Sequence, residues 1–142
     1  MKIAVINGPN LNLTGRREKG HYGEQSLDAY FAALKEKYPQ VAFDFYQSNV
    51  EGELINKLHE AGFSADGIIL NAGGYTHTSV AIGDAVKAIE SPVVEVHISN
   101  VFNREPFRHE SYISAGAAGT ITGLGMDVYE LALKYFTEVA EG

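Results

Sequence analysis

Five short runs of aliphatic and β-branched residues, each followed by a segment with helical spacing, constrain this chain more than any other feature. Lys2–Ile6 reads as a buried first strand, stopped by Asn7-Gly8-Pro9. Ser26 then caps a predicted helix through about Tyr38, with Leu27, Tyr30, Phe31 and Leu34 on one stripe, and Pro39 ends it. Val41–Tyr46 is the second strand; the helix after it starts near Asn49, turns Leu54, Ile55 and Leu58 inward and closes at Gly62. Gly67–Leu70 is the third, followed by a helix capped by Thr78 or Ser79 that runs to about Ile89, ahead of Pro92. Val93–Ile98 is the fourth and most β-branched strand, Gly119–Thr122 a weaker fifth, and Asp127–Val139 a final amphipathic helix. Such alternation gives a parallel sheet covered on both faces and joined by right-handed crossovers. The expected fold is therefore α/β, a flavodoxin-like doubly wound five-stranded parallel sheet in the order 2-1-3-4-5.

In sheets of this kind ligands bind beyond the carboxyl ends of the strands, where the winding reverses. Here that point lies between strands 1 and 3. The unusual polar segments follow strands 1, 3 and 4, which would be neighbours, and the ends of strands 2 and 5 carry nothing comparable. At 142 residues the expectation is one catalytic domain over 1–142, with a lid loop at about 12–24.

Charge narrows the choice of ligand. The formal net charge is −7, which argues against nucleic acid or an anionic membrane surface as partner. The four arginines, Arg16, Arg17, Arg104 and Arg108, nevertheless fall in just two stretches. Guanidinium groups gathered this way suit a small anion held between two loops. Surface ion pairs with Glu18 and Glu105 are the plainer alternative. The absence of cysteine excludes disulfides, thiolate ligands and a cysteine nucleophile, and no histidine–carboxylate spacing matches a metal site. No apolar run approaches the ~20 residues of a membrane span, and the amino terminus has no secretion-signal pattern, so a cytoplasmic location is expected.

Three segments can carry chemistry. Asn7-Gly8-Pro9-Asn10-Leu11-Asn12-Leu13 runs on to Arg16-Arg17 and Tyr22-Gly23. A tyrosine in such a loop either packs on ligand as part of a lid or acts as a base. Free tyrosine has a pKa of ~10, and bringing it to ~7 takes ~4 kcal/mol of preference for the phenolate. A neighbouring arginine in a water-poor site can supply much of that. Asn71-Ala72-Gly73-Gly74-Tyr75-Thr76-His77-Thr78-Ser79 either forms a plain strand-to-helix turn or brings backbone and His77 against a ligand. In Glu95-Val96-His97-Ile98-Ser99-Asn100, strand alternation puts Glu95 and His97 on one face, about 6.5 Å apart along the chain. The carboxylate can then orient the imidazole, as a buried structural pair or as a general acid with its support. His21, His59 and His109 have no such setting.

Together these blocks, with Gly15-Arg16-Arg17-Glu18 ahead of Tyr22-Gly23 and with Arg104 and Arg108 downstream, resemble the type II 3-dehydroquinate dehydratases over essentially the whole length. The resemblance implies dehydration of 3-dehydroquinate to 3-dehydroshikimate through an enolate, in the shikimate route or in quinate breakdown, without cofactor or metal. It implies Tyr22 as proton acceptor, Arg17 as its stabiliser, Asn10 holding the enolate through a water, His97 as proton donor and Glu95 behind it. Asn71, His77, Ile98, Ser99 and Arg108 would bind substrate, Arg104 would support them, and Asp84 would reach the substrate of a neighbouring subunit. It also implies trimers assembled into a homododecamer. Lys19 and Gly83 depart from the pattern, standing where many relatives carry proline and arginine.

Overall fold

A computed structural model describes residues 1–15 and 25–140 of the chain. Strands β1 (Lys2–Asn7), β2 (Ala42–Gln47), β3 (Gly67–Asn71), β4 (Val93–His97) and β5 (Gly119–Thr122) form one parallel sheet in the order β2-β1-β3-β4-β5. The order expected from the alternation is the order found.

Side-chain alternation along the central strands divides the core into two layers. On one face Ile3, Val5, Ile69, Val94 and Val96 pack against helices α1 (Leu27–Lys37) and α4 (Asp127–Lys134), through Leu27, Phe31, Leu34, Val128, Ala132 and Leu133. On the other, Ala4, Ile6, Ile68, Leu70 and Val93 meet α2 (Glu51–Ala61) and α3 (Val80–Ala88), through Leu54, Leu58, Ile82 and Val86. Each large aliphatic side chain buried this way contributes roughly 1.5–3 kcal/mol. The caps agree with the sequence at two helices. Ser26 Oγ accepts the Ala29 N–H at 3.1 Å, and Ser79 Oγ accepts the Ile82 N–H at 3.0 Å.

Two boundaries differ from expectation. Helix α2 starts after Val50, with no side-chain cap, because Asn49 is engaged elsewhere. Its Oδ1 accepts the Asn10 N–H at 2.9 Å and a Gln47 Nε2–H at 3.1 Å. The last helix is α-helical only to Lys134 and then widens into a π turn, Tyr135–Val139, closed by Ala140 N–H on the Tyr135 carbonyl at 2.8 Å. Phe136 on that turn is buried against Gly67, where an added Cβ would lie 2.7 Å from the ring. The wide turn thus serves a packing contact with the start of β3.

Candidate active site

The carboxyl ends of β1, β3 and β4 lie side by side and open into one cavity of about 120 Å³. Gly8 makes this closeness possible: a Cβ there would collide with the carbonyl of Ala72, and its N–H donates to the Asn71 carbonyl at 2.7 Å. Asn10 follows in the left-handed region, φ 71°, a conformation asparagine tolerates better than most residues. The end of β2 braces this turn. Gln47 Nε2 donates to the Gly8 carbonyl at 3.1 Å while Asn49 holds the Asn10 backbone. Sequence reasoning placed nothing useful there, and Gln47 and Asn49 are residues it missed.

From the end of β3, Asn71 and His77 line the cavity. The amide of Asn71 is oriented from two sides: Oδ1 accepts the Gly73 N–H at 3.2 Å, and Nδ2 donates to the Tyr129 hydroxyl at 2.9 Å. Tyr129, fully buried on α4, donates its own hydroxyl hydrogen bond to Asn7 Oδ1 at 2.5 Å. His77 Nδ1 meets the Glu110 carbonyl at 2.6 Å, which fixes Nδ1 as the protonated nitrogen. Partial burial pulls its pKa down, and the positive charges of His97 and Arg108 add to this against the pull of the Glu110 carbonyl.

From the end of β4 come His97, Ile98 and Ser99, with Arg104 and Arg108 on the turns that follow. His97 Nε2 lies 2.5 Å from Glu95 Oε2, both side chains buried, so the pair forecast from strand alternation is in contact. Burial alone would raise the Glu95 carboxyl. Bonds from His97 and Ser114, the imidazole charge and a bond from Ser111 together outweigh it and hold the group below the usual carboxylate value. Arg104 Nη1 donates to Ser99 Oγ at 3.3 Å. The downstream arginines make the plainer ion pairs, Arg108 Nε bonding Glu105 at 3.1 Å and Arg104 Nε lying 3.8 Å from it, and both side chains also line the cavity.

Eight of the residues singled out from sequence, Asn10, Asn71, His77, His97, Ile98, Ser99, Arg104 and Arg108, therefore share one cavity wall, with Glu95 directly behind His97. Asp84 does not join them; it is exposed on α3, away from this chain's cavity. The flanking Gly83 is packed so closely on the Tyr112 carbonyl that a Cβ would clash, so an arginine at this position would require the two segments to part. Arg16, Arg17, Lys19, His21 and Tyr22 lie outside the described residues. Two described tyrosines are poor candidates for a base. Tyr30 is pushed up by burial and by Asp127 and Glu130, and Tyr38 to about 12 by burial and by its bond to Glu130. A phenol that works near neutrality needs a cation beside it instead.

Among the described residues no group of three or more His, Cys, Asp or Glu side chains is arranged to share a metal ion. No described helix is long and apolar enough to cross a membrane.

A family model described as "Dehydroquinase class II" matches residues 1–137. A 3-dehydroquinate dehydratase of an Exiguobacterium species is 56% identical over 139 residues, covering 97% of this chain and 95% of that protein. One from Fusobacterium nucleatum is 55% identical over 144 residues, covering 97% of each. The crystal structure of a type II dehydroquinase from Butyrivibrio crossotus superposes with a TM-score of 0.93 at 44% identity, covering 97% of this chain and 98% of that one.

Proposed function

The chain belongs to the class II dehydroquinase family, and from that premise we infer how its cavity works. It is a hydro-lyase that dehydrates 3-dehydroquinate to 3-dehydroshikimate. The elimination breaks a carbon–hydrogen bond beside the ketone and a carbon–oxygen bond one carbon further on, forms a carbon–carbon double bond conjugated with the ketone, and releases water. Side chains that move protons suffice for this, and acid and base steps are each typically worth 10²–10⁴-fold.

Tyr22, made acidic by Arg17 as a lid over residues 12–24 closes, takes the proton beside the ketone. The electron pair passes to the ketone oxygen as an enolate, which Asn10 holds through a water. His97 then protonates the departing hydroxyl as the enolate collapses. The substrate carboxylate rests on the Ile98 and Ser99 backbone N–H groups and on the second amide hydrogen of Asn71. His77 and Arg108 hold ring hydroxyls, with Arg104 behind Ser99. The observation that carries this reading is the buried Glu95–His97 pair at the cavity wall. With Nε2–H given to Glu95, only Nδ1 is left to exchange a proton with substrate.

The reading extends to assembly: trimers, each subunit lending Asp84 to the next, gathered into a cytoplasmic homododecamer. Support comes from the family resemblance and from Val80, Phe107 and Tyr112, apolar side chains that this single chain leaves exposed.

Mixing the protein with 3-dehydroquinate and following ultraviolet absorbance of the conjugated enone tests the function. Absorbance is expected to grow with enzyme concentration, and its absence would dismiss the proposal. Tyr22→Phe should abolish turnover while substrate binding stays measurable by calorimetry. Borohydride added with substrate should not inactivate, since no imine forms on a lysine.

A further inference from the structure

Glu95 is an ionisable side chain only 1% exposed, set on β4 between Leu70 of β3 and Thr120 of the edge strand β5. A carboxylate so placed is tolerable only if donors satisfy both oxygens. His97 supplies one, to Oε2. The others come from a segment 16 to 19 residues further along the chain. Ser111 Oγ lies 3.1 Å from Oε1 and 3.0 Å from Oε2, and Ser114 Oγ donates to Oε1 at 2.6 Å. That segment has its own anchors: Tyr112 N–H donates to the Thr76 carbonyl at 2.9 Å, and Ile113 is fully buried.

We infer that Ser111 and Ser114 are positioning residues for the proton donor, clamping the Glu95 carboxylate in the one orientation that accepts from His97 Nε2. The inference rests on His97 being that donor. The terminal torsion of a glutamate is broad and has no strong preference of its own. One imidazole bond leaves the carboxylate free to swing; two hydroxyls from a separate element remove that freedom. They also keep the carboxylate ionised, which preserves it as an acceptor. The charged or titratable groups around Glu95 are His97 on its own strand, His77 from the turn after β3, and Arg108 and His109 from the turn after β4, which border the same cavity of about 230 Å³. Its sheet neighbours, Leu70 and Thr120, carry no charge.

Ser114→Ala is the most direct variant. Among the described residues Ser114 Oγ otherwise meets only Thr120 Oγ1, at 3.4 Å, whereas Ser111 Oγ also accepts the Ile113 and Ser114 N–H groups. Steady-state kinetics with 3-dehydroquinate across pH should show kcat lowered about tenfold with KM within about twofold, as expected when a bond to a charged acceptor is lost. Because the lost bond favoured the ionised carboxyl, the acidic limb of kcat should move up by about one pH unit. Ser114→Thr should restore both, and adding Ser114→Ala to Glu95→Gln should cost nothing further. A Ser114→Ala enzyme with wild-type kcat and acidic limb would overturn the inference, as would an undiminished effect in the Glu95→Gln background. Either result would leave His97 as donor, provided His97→Asn is inactive; an active His97→Asn would remove the donor and this inference with it. Circular dichroism establishes that each variant folds, and Ser111→Ala, read the same way, serves if Ser114→Ala does not.

Discussion

Two polar clusters flank the cavity, and they are built in opposite ways. On the α1/α4 side Asn7 and Asn71 are two amides joined through the Tyr129 hydroxyl. On the α2/α3 side Glu95, His97, Ser111 and Ser114 form a cluster around an ionised carboxyl. Amides joined through a phenol hydroxyl fix the shape of a site. A carboxylate–imidazole pair can also deliver a proton. The division suggests that one cluster governs how substrate sits and the other how fast it reacts, a split that kinetics can separate because KM and kcat respond to different losses.

The most severe challenge is His97→Asn. Removing the proposed proton donor should lower kcat by about 10²–10⁴-fold with KM changed only a few-fold, measured by enone absorbance. A loss confined to KM would erase the distinction. Next in size is Tyr129→Phe, which deletes one hydroxyl and leaves Asn7 Oδ1 and Asn71 Nδ2 short of a partner. KM should rise about tenfold with kcat within threefold, and chemical denaturation should show a loss of about 1–3 kcal/mol. A fall in kcat with constant KM would show that both clusters serve the chemical step.

Acid titration sharpens the contrast further. The folded pKa of Glu95 is depressed, so its stabilising contribution is complete above the ordinary carboxylate pKa and is lost as pH falls through the lowered value. Glu95→Gln should therefore show a shallower decline of melting temperature on acidification than the wild type. Tyr129→Phe removes no carboxyl and should keep the wild-type slope, and a change there would mean that Glu95 alone does not set the decline. Smallest of all should be Lys37→Ala. Lys37 meets Glu130 at 2.7 Å but is largely exposed, so stability should change by less than about 1 kcal/mol and neither kinetic constant should move. An effect on kcat would mean that polar groups outside the cavity share the work of those inside.

The sequence by itself determined the sheet order, the end of the sheet where the cavity lies, and the face shared by Glu95 and His97. These follow from periods of 2 and 3.6 residues and from one crossover hand, which are local properties that a chain carries along its length. It also determined the family, because four ordered blocks with fixed spacing are legible without coordinates. Only the tertiary structure decided what surrounds those residues. Tyr129 reads in sequence as one more aromatic on the stripe of the last helix, yet its hydroxyl joins Asn7, 122 residues away, to Asn71. Ser111 and Ser114 read as loop polarity, Gln47 as part of a strand end with nothing comparable to those of strands 1, 3 and 4, Asn49 as the start of a helix, and Gly83 as a departure from pattern rather than the seat of the Tyr112 carbonyl. Hydrogen bonds between distant residues depend on how layers pack at the scale of tenths of an ångström, and no periodicity in the chain encodes that.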